Sequence, residues 1–251
     1  MPCWSGEIDI APLVGGITNR NYHVIDRGQQ HYVVRIGHDI PEHGVMRFNE
    51  LAATRAAHAA GLSPAVVYAG YGCLVSRFIE GKTLTPQDVR ENRNFERIVD
   101  LLRRCHHDIP RHFQGPALIF WVFQVIRQYL RLLEEQHSNP FAIDLASLAR
   151  SNAQLETALG PVSIVFGHND LLAANLIDDG TRLWLIDWDY AGFNSPLFDL
   201  ANLASNNEFP SELEHALLDC YFGKPVSAEL RQCFVASEAI RGEMLKSPPL
   251  E

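Results

Sequence analysis

No stretch of this sequence is apolar for long enough to cross a bilayer. The most apolar run, Ala117–Ile126, is broken by Gln124 and falls short of the roughly 20 residues that a membrane helix needs. The opening residues, Met-Pro-Cys-Trp-Ser-Gly-Glu, lack the basic and apolar regions of a secretory leader. Paired cysteines are missing too. The five present, Cys3, Cys73, Cys105, Cys220 and Cys233, are odd in number and scattered, with the spacing of neither a disulfide framework nor a zinc site. These absences predict reduced thiols in a cytoplasmic protein without a membrane partner. Basic charge is scarce: 21 Lys and Arg stand against 30 Asp and Glu, a formal charge of −9. That balance argues against nucleic acid as the main partner, because such binding needs a basic face. A cationic small molecule stays open, and nothing in the composition sets an oligomeric state. Apolar content, at 47%, is ample, enough for one large domain or two lobes sharing a cleft.

Chemistry-bearing residues concentrate between His168 and Asp189. Asp170 precedes Asn175 by five positions, and Asp187 ends an apolar run, Leu183 to Ile186. The turn signal Asp178-Asp179-Gly180 makes that run the second strand of a hairpin whose first strand covers about Asn175 to Ile177. Such a hairpin brings Asn175 and Asp187 to one end. Their oxygens suit a hard cation such as Mg²⁺, which takes one or two carboxylates from protein and the rest from phosphate. Asp170 is left to orient a nucleophile, as phosphoryl transfer requires. The plain alternative is a polar loop whose side chains only cap turns, and the flanking His168 and strand-ending Asp187 weigh against it.

The first forty residues alternate strand-like runs, Ile8 to Ile10, Tyr22 to Ile25 and His31 to Ile36, with turn residues. This predicts an antiparallel meander. Between the first two runs lies Val14-Gly15-Gly16-Ile17-Thr18-Asn19-Arg20-Asn21. Its glycines let backbone approach phosphate, and Thr18 and Asn19 carry donors; an ordinary hairpin turn uses the same residues. Arg35, one cation in an apolar strand, either faces a cleft and binds phosphate or snorkels to water. Val45 to Ala60 reads as a helix closed by Gly61, and its Glu50 either pairs with Arg35 or bonds locally to Arg47. Strand-like runs at Ala65 to Tyr68 and Gly72 to Phe78 follow. Residues 78 to 84 then form an extended connector whose backbone groups can bond an adenine edge, with Val67 or Phe78 supplying apolar contact.

Beyond the connector the pattern turns helical. Helices are expected over Phe95 to His106, Pro116 to Gln136 and Pro140 to Leu159. Cys105-His106-His107 lacks the partner spacing of a metal site and reads as a helix-end cluster. Ser195-Pro196 starts another helix, whose Asp199 either caps its first turn or reaches back to backbone N–H groups of the catalytic loop and stiffens it.

Taken together, these blocks resemble the aminoglycoside phosphotransferase and choline kinase superfamily, most closely its bacterial choline kinase-like branch. The resemblance is carried by Gly15-Gly16-Ile17-Thr18-Asn19-Arg20-Asn21-Tyr22, Val34-Arg35-Ile36, Glu50 and Phe78-Ile79-Glu80-Gly81. His168-Asn169-Asp170-Leu171 with Asn175, Ile186-Asp187-Trp188-Asp189-Tyr190-Ala191-Gly192 and Phe198-Asp199-Leu200-Ala201-Asn202 complete it, over about residues 10 to 205. It implies an α+β, protein kinase-like two-lobed fold. A small antiparallel-sheet N-lobe is expected over residues 1–78, a hinge over 79–84 and a larger, mainly helical C-lobe over 85–251.

The implied activity is ATP- and Mg²⁺-dependent transfer of the γ-phosphoryl group to a hydroxyl of a small, cationic molecule, choline or a related amino alcohol first. Carried over by position, Asp170 is the catalytic base, Asn175 and Asp187 the Mg²⁺ ligands and Asp189 a supporting acid. Arg35 with Glu50 forms the phosphate clamp, Gly16, Thr18 and Asn19 line the phosphates, Phe78 and Ile79 the adenine, and His168 supports its loop. Near the C-terminus, Ala239-Ile240-Arg241-Gly242-Glu243-Met244-Leu245 has Leu245 where the branch often carries Trp. That departure implies a poorer aromatic cage, through a shortened chain or a different alcohol. The competing expectations are an aminoglycoside, thiamine or sugar kinase, and a non-catalytic nucleotide-binding pseudokinase. The intact Asp170, Asn175 and Asp187 count against the last.

Overall fold

The computed structural model describes residues 3–4, 6–13, 19–135, 144–235 and 237. Its N-terminal strands follow the turn chemistry of the chain. Asp26 Oδ1 accepts from the N–H groups of Gly28 and Gln30 at 2.8 and 2.9 Å, which folds the turn between β2 (Arg20–Asp26) and β3 (His31–Ile36); β1 (Ile8–Leu13) pairs with β2 on the other side. The helix expected near Val45 is α1 (Arg47–Ala59), with Gly61 just beyond at φ +74°. After it come β4 (Val66–Gly70) and β5 (Cys73–Arg77), giving an antiparallel sheet of order β1-β2-β3-β5-β4. One face buries Val24, Tyr32, Val34 and Val75 against Trp4, Ile8 and Tyr22. By strand alternation, the other face carries Asn21, His23, Val33 and Arg35.

The connector does not stay a free strand. Its β6 (Lys82–Thr83) pairs with β8 (Leu176–Asp178), which pairs with β9 (Leu183–Leu185). Gly81 allows this approach, since a Cβ there would lie 2.7 Å from the Asp178 carbonyl oxygen. The helices are α2 (Pro86–Arg90), α3 (Asn92–Asp108), α4 (Val122–Glu135) and α5 (Leu145–Leu159). β7 (Val165–Gly167) and β10 (Gly192–Asn194) make a two-stranded sheet before α6 (Pro196–Asn206) and α7 (Ser211–Phe222), and residues 228–235 are helical. The large core joins Leu102, Phe123, Ile126, Phe166, Leu185 and Leu200. The alanine face of α1, Ala53, Ala56 and Ala57, packs into this core, so α1 links it to the sheet.

The expected helix from Pro116 is shortened. Residues 118–120 run beside β10, with Phe193 N–H donating to the Leu118 carbonyl at 2.8 Å and Phe120 N–H to the Phe193 carbonyl at 3.0 Å. The open edge of β10 overrides the helical periodicity there, and Gly192 permits it, because a Cβ would fall 2.8 Å from the Leu118 oxygen. Of the third helix, residues 140–143 lie outside the described residues, as do residues 239–245 of the C-terminal motif. No helix among the described residues is long and apolar enough to cross a membrane, and all five cysteines are free thiols.

Candidate active site

The loop after β7 is gripped from several sides. Asn169 sits in the left-handed region at φ +67°, which asparagine tolerates better than most residues. Its Nδ2 donates to the Tyr190 carbonyl at 2.9 Å. Asp199, in the first turn of α6 and fully buried, accepts from His168 N–H at 2.8 Å and Asn169 N–H at 2.7 Å. This is the reach-back expected of it. One turn along the helix, Asn202 Oδ1 accepts from Leu171 N–H. His168 Nε2 donates to the Ile186 carbonyl at 2.9 Å, which fixes Nδ1 as the acceptor for Asp170 N–H at 3.3 Å. The main chain on both sides of Asp170 is thereby held while its carboxylate stays half-buried.

Two supports of this loop escaped the sequence reading. His106 Nε2 lies 3.0 Å from Asp199 Oδ2, and its Nδ1 lies 2.6 Å from the Tyr221 hydroxyl. It is therefore a buried brace rather than a helix-end charge; a histidine within the apolar stripe of Ile98, Leu102 and Cys105 was its one signal. Asn207 Nδ2 donates to the Leu171 carbonyl at 3.2 Å, and no local pattern announces that contact.

The hairpin of β8 and β9 sets the second half of the site. Ile186 N–H donates to the Asn175 carbonyl at 3.0 Å, so Asn175 and Asp187 do emerge at the same end. Asn175 Nδ2 donates to the Asp170 carbonyl at 2.9 Å and approaches Asp170 Oδ2 at 3.3 Å, leaving its Oδ1 as the atom suited to a cation. Asp187 has φ +70°, a strained backbone state for an aspartate and of a kind that collects at functional sites. No group of three or more His, Cys, Asp or Glu suited to a metal occurs among the described residues. Asn175 and Asp187 instead offer two hard oxygens, which fits Mg²⁺ where phosphate and water complete the shell.

Above them lies a cluster of two arginines and three carboxylates. Arg35 Nη1 lies 3.0 Å from Glu50 Oε1, 2.8 Å from Asp187 Oδ1 and 3.0 Å from Asp189 Oδ1. Arg47 Nη1 lies 2.7 Å from Glu50 Oε2 and 2.9 Å from Asp189 Oδ1. Both pairings left open for Glu50 are thus present together. Burial opposes charge on Arg35, but Asp187, Glu50 and Asp189 outweigh it and hold the guanidinium charged beyond the ordinary range. Glu50 goes the other way: burial, helped by Asp189, lifts its carboxyl despite both arginines. For Asp187 burial also pushes upward, yet Arg35 prevails and lowers it. Arg35 spends only Nη1 on these partners among the described residues, so Nη2 and Nε of its fork remain for an anion.

The other expected residues are distributed along the cleft. Gly16 and Thr18 lie outside the described residues. Asn19 is buried, and its Nδ2 donates to Asp189 Oδ2 at 2.8 Å. Gly37 makes room for this, because a Cβ there would lie 2.2 Å from Asn19 Oδ1. Phe78 ends the sheet with its N–H on the His31 carbonyl at 3.1 Å, and Ile79 follows half-buried. Tyr190, within electrostatic reach of Asp170, packs edge-on against Phe120, with ring centroids 6.1 Å apart. Burial raises its phenol, and Tyr129, Asp170, Asp189 and Asp187 add to the rise. Tyr129 in turn lies 2.8 Å from His43 Nδ1.

A model of the choline/ethanolamine kinase family matches residues 10–236. LicA of Haemophilus influenzae is 30% identical over 212 residues, covering 83% of this chain and 61% of its own length. Ethanolamine kinase 2 of Homo sapiens is 27% identical over 226 residues, 86% of this chain and 58% of its own. The chain therefore spans about three-fifths of the length of these curated relatives. Among solved structures, choline kinase LicA from Streptococcus pneumoniae superposes with a TM-score of 0.77 at 27% identity, covering 97% of this chain and 85% of that one.

Proposed function

The chain belongs to the choline/ethanolamine kinase family, and on that premise we propose that it transfers the γ-phosphoryl group of Mg·ATP to the hydroxyl of choline or a related amino alcohol. The observation that carries this reading is Asn175 lying against Asp170 and, through the Ile186 N–H on its carbonyl, beside the strand end that presents Asp187, which Arg35 meets at 2.8 Å. Asp170 accepts the hydroxyl proton as the acceptor oxygen bonds to the γ-phosphorus and the bond to the β-phosphate oxygen breaks. Asn175 and Asp187 would hold Mg²⁺, which when bound neutralises charge on the phosphates. Arg35, oriented by Glu50, clamps the phosphates with the rest of its fork. Asp189 supports both arginines from behind. Residues 1–78 serve the nucleotide, 79–84 form the hinge and 85–251 supply the catalytic loop.

An amino alcohol is favoured by what surrounds Asp170. The rings of Tyr190 and Phe120 beside acidic groups suit a small cation, through cation–π attraction and a negative local field. The names of the relatives, choline kinase and ethanolamine kinase, point the same way. Five free thiols support a cytoplasmic setting. ATP consumption measured against choline, ethanolamine, thiamine, sugars and aminoglycosides tests the acceptor, with turnover expected for the first two alone. Asp170→Ala should lower that turnover by about 10²-fold or more while nucleotide binding persists. Equal turnover removes Asp170 from the base role.

A further inference from the structure

The sheet face that carries Arg35 also carries two histidines. Cross-strand pairing places Asn21 opposite Arg35, His23 opposite Val33 and Ile25 opposite His31, so these residues share one face. Arg35 meets Asp187 there, which makes it the face turned to the cleft. The opposite face is closed by Val24, Tyr32, Val34 and Val75. His23 lies two residues from Asn21 on β2, about 7 Å along the strand toward the connector. Its Nε2 is 3.0 Å from His31 Nδ1, and its ring lies 4.5 Å from the Phe78 ring at an interplanar angle of 38°.

The hydrogen bond between imidazoles needs one nitrogen to donate and the other to accept, so it fixes the His23 ring rather than leaving it to rotate. Phe78 supports that ring from the connector side. A nucleotide whose phosphates meet Arg35 and whose base reaches the connector has to pass beneath His23. We propose that His23 stacks on the nucleobase and favours purines, with His31 as its positioning residue. A purine gains more than a pyrimidine because its π-face is larger, and the triphosphate gains nothing. This inference rests on the kinase reading above and adds to it a residue that selects the nucleotide.

The test is calorimetric titration of the full chain with Mg·ATP, Mg·CTP and Mg·tripolyphosphate, the last carrying phosphates without a base. His23→Ala is expected to weaken ATP about tenfold, the scale of base–aromatic stacking, to narrow the ATP-over-CTP preference and to leave tripolyphosphate unchanged. His23→Phe is expected to restore ATP binding, and His31→Ala to give a smaller loss confined to the nucleotides. Should His23→Ala fail to fold, His23→Gln, which retains a bond to His31 without a ring, carries the same expectation. Unchanged ATP affinity in these variants overturns the role of His23 and leaves phosphoryl transfer standing. Equal losses for ATP and tripolyphosphate overturn it as well, since the lesion is then structural. Wild-type protein that binds none of the three overturns the kinase reading itself.

Discussion

Asp199 and Asp187 are both aspartates of the candidate site, and their surroundings differ in kind. Asp199 is fully buried and divides its two oxygens among His168 N–H, Asn169 N–H and His106. Its carboxyl is held below the ordinary range against the pull of burial, chiefly by the bond to His106. Asp187 keeps a quarter of its side chain exposed, and its one ion pair goes to an Arg35 nitrogen that also serves Glu50 and Asp189. The first arrangement is closed, and no contact in it can be exchanged without stranding a buried donor. The second shares one donor among three acceptors, so a divalent cation can take Asp187 while Arg35 keeps two partners. A rigid loop and a redistributable cluster are what the proposed phosphoryl transfer asks for: fixed placement of the proposed base, and charge that rearranges as phosphates arrive.

The sharpest way to break this contrast is to truncate both aspartates. Asp199→Ala strands two buried N–H groups and a histidine, and is expected to cost about 3 kcal/mol or more of unfolding free energy. By displacing Asp170 it should also lower turnover about 10²-fold. Asp187→Ala should cost under about 1 kcal/mol, as for a partly exposed pair, while abolishing Mg²⁺-dependent nucleotide binding. Urea unfolding and titration with Mg·ATP read both quantities. Equal destabilisation by the two variants would mean that the cluster is as closed as the loop.

Arg35→Met comes next in size. It leaves Glu50 and Asp189 to Arg47 and takes from Asp187 its one ion pair among the described residues, and a loss of about 2 kcal/mol is expected from the uncompensated carboxylates. A cation is then the missing partner. Added Mg²⁺ should restore more stability to Arg35→Met than to wild-type protein, through binding to the folded state. Thermal unfolding with and without MgCl₂ checks this, and a smaller Mg²⁺ response in the variant contradicts the view of Arg35 as an exchangeable partner of Asp187.

The same contrast explains what the sequence could reveal. The shared end of Asn175 and Asp187 was legible because one hairpin sets their spacing, and the reach of Asp199 because a Ser-Pro helix start fixes where its first turn points. Arg47 and Asp189 are 142 positions apart, and His106 and Asp199 are 93 apart. Their meeting depends on how α1, α3 and α6 pack, which no local period encodes. Residues 118–120 mislead for a related reason, since their apolar pattern suits a helix while the edge of β10 demands an extended partner. The arginine strand was legible as a type of site, but its cluster of five charges was not.

The smallest expected effect is in pH dependence, and it has opposite signs in the two regions. The carboxyl of Asp199 is lowered from 3.8, so the unfolded chain binds its proton first. Its contribution is full above that value and is lost as pH falls through the folded-state pKa. Glu50 is raised from 4.5, chiefly by burial, so the folded state holds the proton longer. Its term is most favourable below 4.5 and declines as pH rises through the raised pKa. The deficit of Asp199→Asn relative to wild type should therefore shrink as pH drops below 3.8. Glu50→Gln, neutral throughout, should gain on wild type as pH climbs from 4.5. Unfolding free energies measured in steps between pH 3 and 7 separate the two, and slopes of the same sign would show that burial around Glu50 does not outweigh its arginines.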